Sequence, residues 1–303
     1  MKEVFSYKNI AFQTKRLANR FGVPKHWSKS KNEKFDVPTI CVFFVFFCIE
    51  DKSYRRFAAF LFESKTMDLK EEPHWTTIEK AFKRLPPGLV RRLEQESGKC
   101  KHTLRSLDPT YFQTSNPSAS YCARIGRDIR KYKGRKVSVV VCPRCDLVPN
   151  VFLRAKERHA MKDIPELLPS FIDKTVLGDK EFDAEHFHEQ IARVGGHSFV
   201  PPKYQDVPIW RTKGEHRKRL KRKGLPKVYT LRAHSESNNH AVKTVFGHTL
   251  NGRTFWPQAR NCYGKYLAYN LMLKDRMSRL ILTFYRAGKK IKMEAKLPIL
   301  LSL

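Results

Sequence analysis

The chain has 303 residues, enough for one large domain plus a small one, and its 41% hydrophobic and 12% aromatic content supports a real core. Lys and Arg outnumber Asp and Glu by 60 to 29, a formal charge of +31. That excess argues against an ordinary metabolic enzyme and for a polyanion partner, most simply nucleic acid; an anionic membrane surface is the competing reading, and no clear amphipathic basic helix supports it.

The longest apolar run, Ile40 to Ile49, is half the ~20 residues that span a bilayer. Lys2, Glu3 and the polar residues after them offer no secretory h-region, so a cytoplasmic protein with no membrane partner is expected. The seven cysteines are odd in number and mostly scattered, as reduced thiols are.

In chain order, residues 1–35 are basic and polar and read as a mobile arm or short helices. Residues 37–100 look helical: Ile40–Ile49 as a buried helix, Tyr54–Glu63 as an amphipathic one, and Thr76–Leu85 as a third, capped by Thr76 or Thr77 and stopped by Pro86–Pro87. With Lys80, Lys83 and Arg84 on the last of these, a helix-turn-helix and a plain helical bundle fit equally well.

From about 101 the pattern becomes β-rich. A short strand, His102–Leu107, ends at Asp108. Lys136–Cys142 and Leu147–Arg154 form a hairpin joined by Pro143–Asp146, with Pro149 marking an edge or a bulge. Ala160–Ile172 looks helical, and Thr175–Leu177 is a short buried strand leading to Asp179. Asp183–Val194 is a helix capped by Asp183 and ended by Gly195–Gly196, and His197–Val200 is a last strand. A final helix covers Tyr266–Leu282, just after Gly264. The order predicts an α/β fold, a mixed sheet with helices on its faces, and a division into 1–100, 101–285 and a tail at 286–303.

Two segments concentrate charge. Residues 124–136 hold seven Lys/Arg and one Asp; residues 211–227 hold nine and one Glu. A charge run is usually a solvated face. The second leads directly into the most informative residues of the chain, which makes Arg217, Lys218, Arg219, Lys221 and Arg222 candidates to grip a phosphate backbone.

Those informative residues are Tyr229, Arg232, Glu236 and Lys243. On an α-helix their spacing places all four on one stripe. One carboxylate flanked by two cations and a phenol suits a site that binds a metal and holds phosphates around it. Asp108 and Asp179 are the carboxylates that would complete it, with Asp163 and Asp183 as runners-up. Asp183 is better explained as a cap.

Cys142-x2-Cys145 is half of a zinc pattern, but no second pair has matching spacing; Cys122 and His159 are the remaining candidates to join it. His186 and His188, at i and i+2, do not share a helix face and read as surface or packing residues. Trp210 and Trp256 are expected in the core, with stacking on an extruded base as the alternative.

The Tyr-x2-Arg-x3-Glu-x6-Lys pattern at Tyr229, Arg232, Glu236 and Lys243 resembles the signature of a large group of prokaryotic insertion-sequence DDE transposases. Val176–Glu185 is similar to that family's segment around its second aspartate, with Glu181 where Gly is common and Phe182 where Tyr is common. Leu107–Thr110 is similar to its first-aspartate motif, with Pro109 in place of a small polar residue. Thr114–Pro117 with Tyr121 and Arg124–Gly126, Arg158–His159 with Lys162–Asp163, and Ala268–Leu271 also resemble family segments, so the likeness covers roughly 40–285.

The resemblance implies an RNase H-like fold, which the small N-terminal helical, candidate DNA-binding region at 1–100 would precede. It implies Asp108, Asp179 and Glu236 as catalytic residues holding two Mg²⁺ (or Mn²⁺) ions, because in-line displacement at phosphorus uses hard cations on carboxylate oxygens. Arg232 and Lys243 would hold phosphates, with Tyr229 as a hydrogen-bond or stacking partner. The implied function is a transposase that cleaves and joins double-stranded DNA at an element's terminal inverted repeats and a target. It would act as a homodimer on DNA, associated with the nucleoid, and without a nucleotide cofactor. An inactive DNA-binding derivative and a metal-dependent RNase H-like nuclease are the alternatives.

Overall fold

The computed structural model describes residues 5–27, 34–114, 123–124, 126, 134–156 and 159–286. Its helices are α1 (Tyr7–Arg20), α2 (Val37–Glu50), α3 (Tyr54–Glu63), α4 (Trp75–Arg84), α5 (Pro87–Ser97), α6 (Ile164–Leu167), α7 (Glu185–Arg193), α8 (Glu215–Lys223), α9 (Ala233–Phe246) and α10 (Phe255–Arg286). Its strands are β1 (Leu104–Gln113), β2 (Gly134–Val141), β3 (Asn150–Leu153), β4 (Thr175–Gly178) and β5 (His197–Phe199). Among the described residues the chain divides into two units: one runs up to Ser97 and resumes at Val242, and the other is Gly98–Ala241.

The first unit is helical. Residues expected as an arm or short helices form the regular α1, with Ile10, Thr14 and Ala18 one turn apart on its buried side. Ser6 starts it by accepting from the Asn9 amide at 3.3 Å. The Ser6 amide donates to Asp275 Oδ2 at 2.9 Å, and Asp275 is fully buried on α10. α2 is capped by Asp36, which accepts from the Thr39 amide at 2.8 Å, and Pro38 fits its first turn. All of α2 except Thr39 is buried, so this helix has no solvent face and forms the axis of the unit. No helix among the described residues is long and apolar enough to cross a membrane.

α3 and α4 are joined by residues 64–74, much longer than the ~3–4-residue turn of a helix-turn-helix. α4 begins at Trp75 with His74 in the cap position, so the expected Thr cap is not used; Thr76 Oγ1 bonds His74 Nδ1 at 2.7 Å instead. Pro87 ends nothing. It opens α5, because a proline at the first helical position forfeits an N–H that has no partner there anyway.

α10 starts well before the expected Tyr266. Gly264 lies inside the helix and serves close packing: a Cβ there would sit 2.6 Å from Cys48 Sγ and 2.6 Å from Phe44 Cε1 of α2. Gly264→Val is therefore expected to destabilise the protein by about 1–3 kcal/mol through overpacking, read as a lowered urea midpoint at unchanged slope.

The second unit is a five-stranded mixed sheet in the order β3-β2-β1-β4-β5. β1–β2 and β2–β3 pair antiparallel, while β1–β4 and β4–β5 pair parallel. This is the expected RNase H-like arrangement, with helices packed on the sheet. Leu107, Val140, Val176 and Val200 join Ile164, Leu167, Phe171, Phe187 and Ile191 in one core.

Several boundaries differ from expectation for local reasons. β1 does not stop at Asp108; its pairing with β2 runs from Ser106 to Gln113, through Pro109. Pairing with β4 ends at Leu107↔Gly178, so the missing amide of Pro109 breaks no bond on that side. β3 begins only after Pro149. The expected helix over 160–172 is broken into short 3-10 turns around α6, where Pro165 and Pro169 remove helical donors. α7 begins at Glu185, and Asp183 is not its cap: it binds Arg217 and the Lys203 amide instead.

Candidate active site

Two carboxylates meet because of strand register. β1 and β4 run parallel with Leu107 opposite Gly178, so Asp108, midway along β1, and Asp179, just past the end of β4, follow side by side where the parallel pairing stops. The carboxyl end of a strand, where Asp179 follows β4, is where open α/β sheets present their ligand crevices. Asp179 leaves the strand in an extended conformation and turns its carboxylate onto the Lys180 amide at 2.7 Å, opening a 3-10 turn.

The third carboxylate arrives from another direction. Tyr229 and Arg232 were expected on one α-helical stripe with Glu236. They lie instead in a 3-10 turn, Lys227–Arg232, and α9 begins at Ala233. Tightened first turns are common at helix starts, and this one is anchored at both ends. The Tyr229 hydroxyl donates to the Gly178 carbonyl at 3.0 Å, one residue before Asp179. The Ser106 hydroxyl donates to the Arg232 carbonyl at 3.4 Å. The turn is thus pinned to β4 and β1 beside the two aspartates.

Arg232 spans the cluster. One guanidinium nitrogen lies 3.5 Å from Asp108 Oδ1 and another binds Glu236 Oε1 at 2.5 Å. Asn239 Nδ2 donates to the other Asp108 oxygen at 3.0 Å. Sequence reading missed Asn239, although it follows Glu236 by three residues and so shares its helix face. Glu236 remains largely exposed, while Asp108 is mostly buried.

Burial raises the pKa of Asp108 above its ordinary value; the Asn239 hydrogen bond and Arg232 lower it, and the charges of Glu236 and Asp179 raise it further. Asp108 therefore feels both of the other carboxylates. A cluster of hard oxygen donors, mutually repelling and offset here by a guanidinium, fits a divalent cation such as Mg²⁺ or Mn²⁺.

The remaining residues singled out from sequence separate into groups. Lys243 lies further along α9. On α8, Arg217 grips Asp183 with two hydrogen bonds at 2.8 Å, Lys218 pairs with Glu215 at 3.2 Å, and Lys221 donates to the Val207 carbonyl. Arg219 and Arg222 are exposed and line a shallow depression with His216 and Lys223. Asp163 is not a ligand candidate: it is fully buried against Arg154 and Ser138. Glu181 pairs with Lys136 at 3.2 Å.

Trp210 and Trp256 are 74% and 65% exposed, so neither packs in a core. Trp210 instead stacks under Arg211, 4.6 Å from the guanidinium carbon to the ring centroid. His188 is buried against Ser198, which pushes its pKa down to about 4, whereas His186 is exposed. Most of the basic segment 124–136, the stretch 115–122 with Cys122, and the tail beyond Arg286 lie outside the described residues.

A family model described as Transposase DDE domain matches residues 99–271. No curated protein and no solved structure matches the chain.

Proposed function

Because the chain belongs to the transposase DDE domain family, we propose that it cleaves DNA at the terminal inverted repeats of an insertion sequence and joins the freed ends to a target. The observation that supports this reading is that Asp108 and Asp179 follow the last paired residues of β1 and β4, with Glu236 tied to Asp108 through Arg232. The family's chemistry is transposition, an enzyme activity on DNA that generally uses divalent metal ions. Asp108, Asp179 and Glu236 would hold two such ions, Mg²⁺ or Mn²⁺, which supply Lewis-acid activation of the attacking oxygen and charge neutralisation at the leaving one.

The chain's own residues do the rest by position. Asn239 orients the Asp108 carboxylate, and Tyr229 fixes the turn that delivers Arg232. Arg232 pairs with Asp108 and Glu236, and its planar fork would suit a DNA phosphate equally well. Lys243 adds a phosphate contact further along α9. Arg219 and Arg222, exposed on α8, track the backbone, and Arg217, Lys218 and Lys221 shape that helix through their local bonds. Joining two element ends calls for two protein copies, so a homodimer on DNA is part of the proposal.

The test is strand cleavage and joining on a linear duplex carrying the flanking element ends, with a supercoiled plasmid as target, in Mg²⁺ and in Mn²⁺. Joined products support the reading. Cleavage without joining makes the protein a nuclease, and end binding with no cutting in either metal makes it an inactive derivative.

A further inference from the structure

A second cluster of metal-binding side chains lies in the same unit, apart from the carboxylates, and nothing in the DNA chemistry above uses it. Cys100, His102, Cys142 and Cys145 each offer one ligand atom, and these atoms all lie within 4.8 Å of one another. We infer that these four residues bind a structural Zn²⁺ ion. The inference goes beyond the strand-transfer reading and does not depend on it.

The fold explains why residues so distant in sequence meet. β1 and β2 are antiparallel with Ser106 opposite Val141, so the residues just before β1 face those just after β2. Cys100-x-His102 lies on one side and Cys142-x2-Cys145 on the other. Gly98 marks how closely the two sides approach: a Cβ there would fall 1.9 Å from the Val148 carbonyl oxygen.

The second pair sits on a tight turn. The Cys145 amide donates to the Cys142 carbonyl at 3.3 Å, the Asp146 amide donates to the same carbonyl at 2.8 Å, and the Cys142 amide closes the loop onto the Leu147 carbonyl at 2.8 Å. Pro143 suits the second position of such a turn, and Asp146 takes a left-handed conformation with φ 57°. The turn folds two thiols three residues apart onto one side.

The donor chemistry selects the ion. Three thiols and an imidazole are a borderline-soft set of the kind that forms closed tetrahedral zinc sites. Bonds of about 2.3 Å to sulfur and about 2.0 Å to nitrogen give tetrahedron edges of roughly 3.5–3.8 Å. Cys142 Sγ already lies 3.5 Å from His102 Nδ1. Both Cys142 and Cys145 are buried, Cys100 is half-buried, and none of the three is in a disulfide. Hard cations favour carboxylates such as Asp108, further along β1, so one unit would separate two classes of metal by donor type.

The site has a role in the architecture. It ties the entry of β1, which carries Asp108, to the exit of β2. Asp146, next to Cys145, accepts from Asn238 Nδ2 at 3.1 Å and lies 3.5 Å from His234 Nδ1, both on α9 and both two residues from Glu236. The ion is a structural clamp that stands behind two of the three acidic residues without touching them.

The experiment is metal analysis of the purified full chain after gel filtration in metal-free buffer, beside Cys145→Ser, Cys100→Ser and, as a control outside the cluster, Cys41→Ala. One zinc per wild-type chain is expected, kept in Cys41→Ala and lost in the two site variants. Should the site variants fail to fold, Co²⁺-reconstituted wild type decides alone, because a tetrahedral thiolate site gives visible d–d bands and a near-ultraviolet sulfur-to-cobalt charge-transfer band. Absence of zinc from wild type together with absence of those bands overturns the inference. So does zinc retained in a folded Cys145→Ser, or stoichiometric iron in place of zinc.

Discussion

Asp108→Asn, Asp179→Asn and Glu236→Gln are each expected to lower strand cleavage about 10³-fold or more, some 4 kcal/mol or more of transition-state stabilisation, with binding to the element ends retained. The size follows from the arrangement. Each substitution keeps the side chain's shape and removes one full charge from the proposed metal-binding set of Asp108 on β1, Asp179 after β4 and Glu236 on α9. A carboxamide is a poor ligand for a hard cation, and no other acid among those weighed stands ready to replace it, because Asp163 and Asp183 are committed to Arg154 and Arg217.

Folding stability should move the opposite way. Asp108 titrates above its ordinary value, chiefly through burial, so the native state holds that proton more tightly than the unfolded chain does. Its contribution to stability therefore falls as pH rises from the unfolded pKa through the raised native one. At neutral pH, without divalent cations, Asp108→Asn is expected to melt no lower than wild type. Added Mg²⁺ raises the wild-type melting temperature and leaves that of the variant nearly unchanged. A variant that both unfolds and stops cleaving would mark Asp108 as structural.

Asp163→Ala is expected to cost about 3–5 kcal/mol of stability. Arg154 Nε lies 2.5 Å from Asp163 Oδ2, Ser138 donates to the same oxygen at 2.7 Å, and Arg154 Nη2 reaches the Ser138 hydroxyl at 3.0 Å. All three residues are buried. Removing the carboxylate strands a guanidinium away from water, which is far worse than losing a surface ion pair. A fall in melting temperature of about 10 °C is the expected readout. The double variant Arg154→Met/Asp163→Leu should recover most of the loss, since apolar residues of similar volume replace a buried pair at little cost. Equal destabilisation of the single and double variants would assign the effect to packing.

Much of this was legible in the sequence, and what was missed has physical causes. Apolar β-branched runs announced β2 and β4, and the order of strands and helices announced a mixed α/β sheet. The apolar run after Asp36 announced α2. α10 was read too short because a glycine in a helical pattern looks like a boundary, whereas Gly264 is needed where α2 approaches. α1 was left open between an arm and short helices because its buried face sets one large apolar residue, Ile10, beside only Ala11, Thr14 and Ala18.

For the site, the spacing of Tyr229, Arg232 and Glu236 identified the right residues with the wrong local geometry: anchors on Gly178 and Ser106 tighten that segment into a 3-10 turn. Asn239 carried no signal beyond its place on the face of Glu236. The partners of Cys142 and Cys145 were not recognisable by spacing, because Cys100-x-His102 is brought to them by strand pairing. His159, weighed for that role, accepts from the Met161 amide.

The most direct measurement is Mn²⁺ binding to the full chain by electron paramagnetic resonance, on an element-end duplex, with wild type beside Asp108→Asn. If the three carboxylates hold divalent ions for strand cleavage, wild type sequesters Mn²⁺ on the DNA complex and Asp108→Asn does so at least tenfold more weakly at equal DNA occupancy. Indistinguishable Mn²⁺ binding by the two proteins would contradict it and remove Asp108 from the metal site.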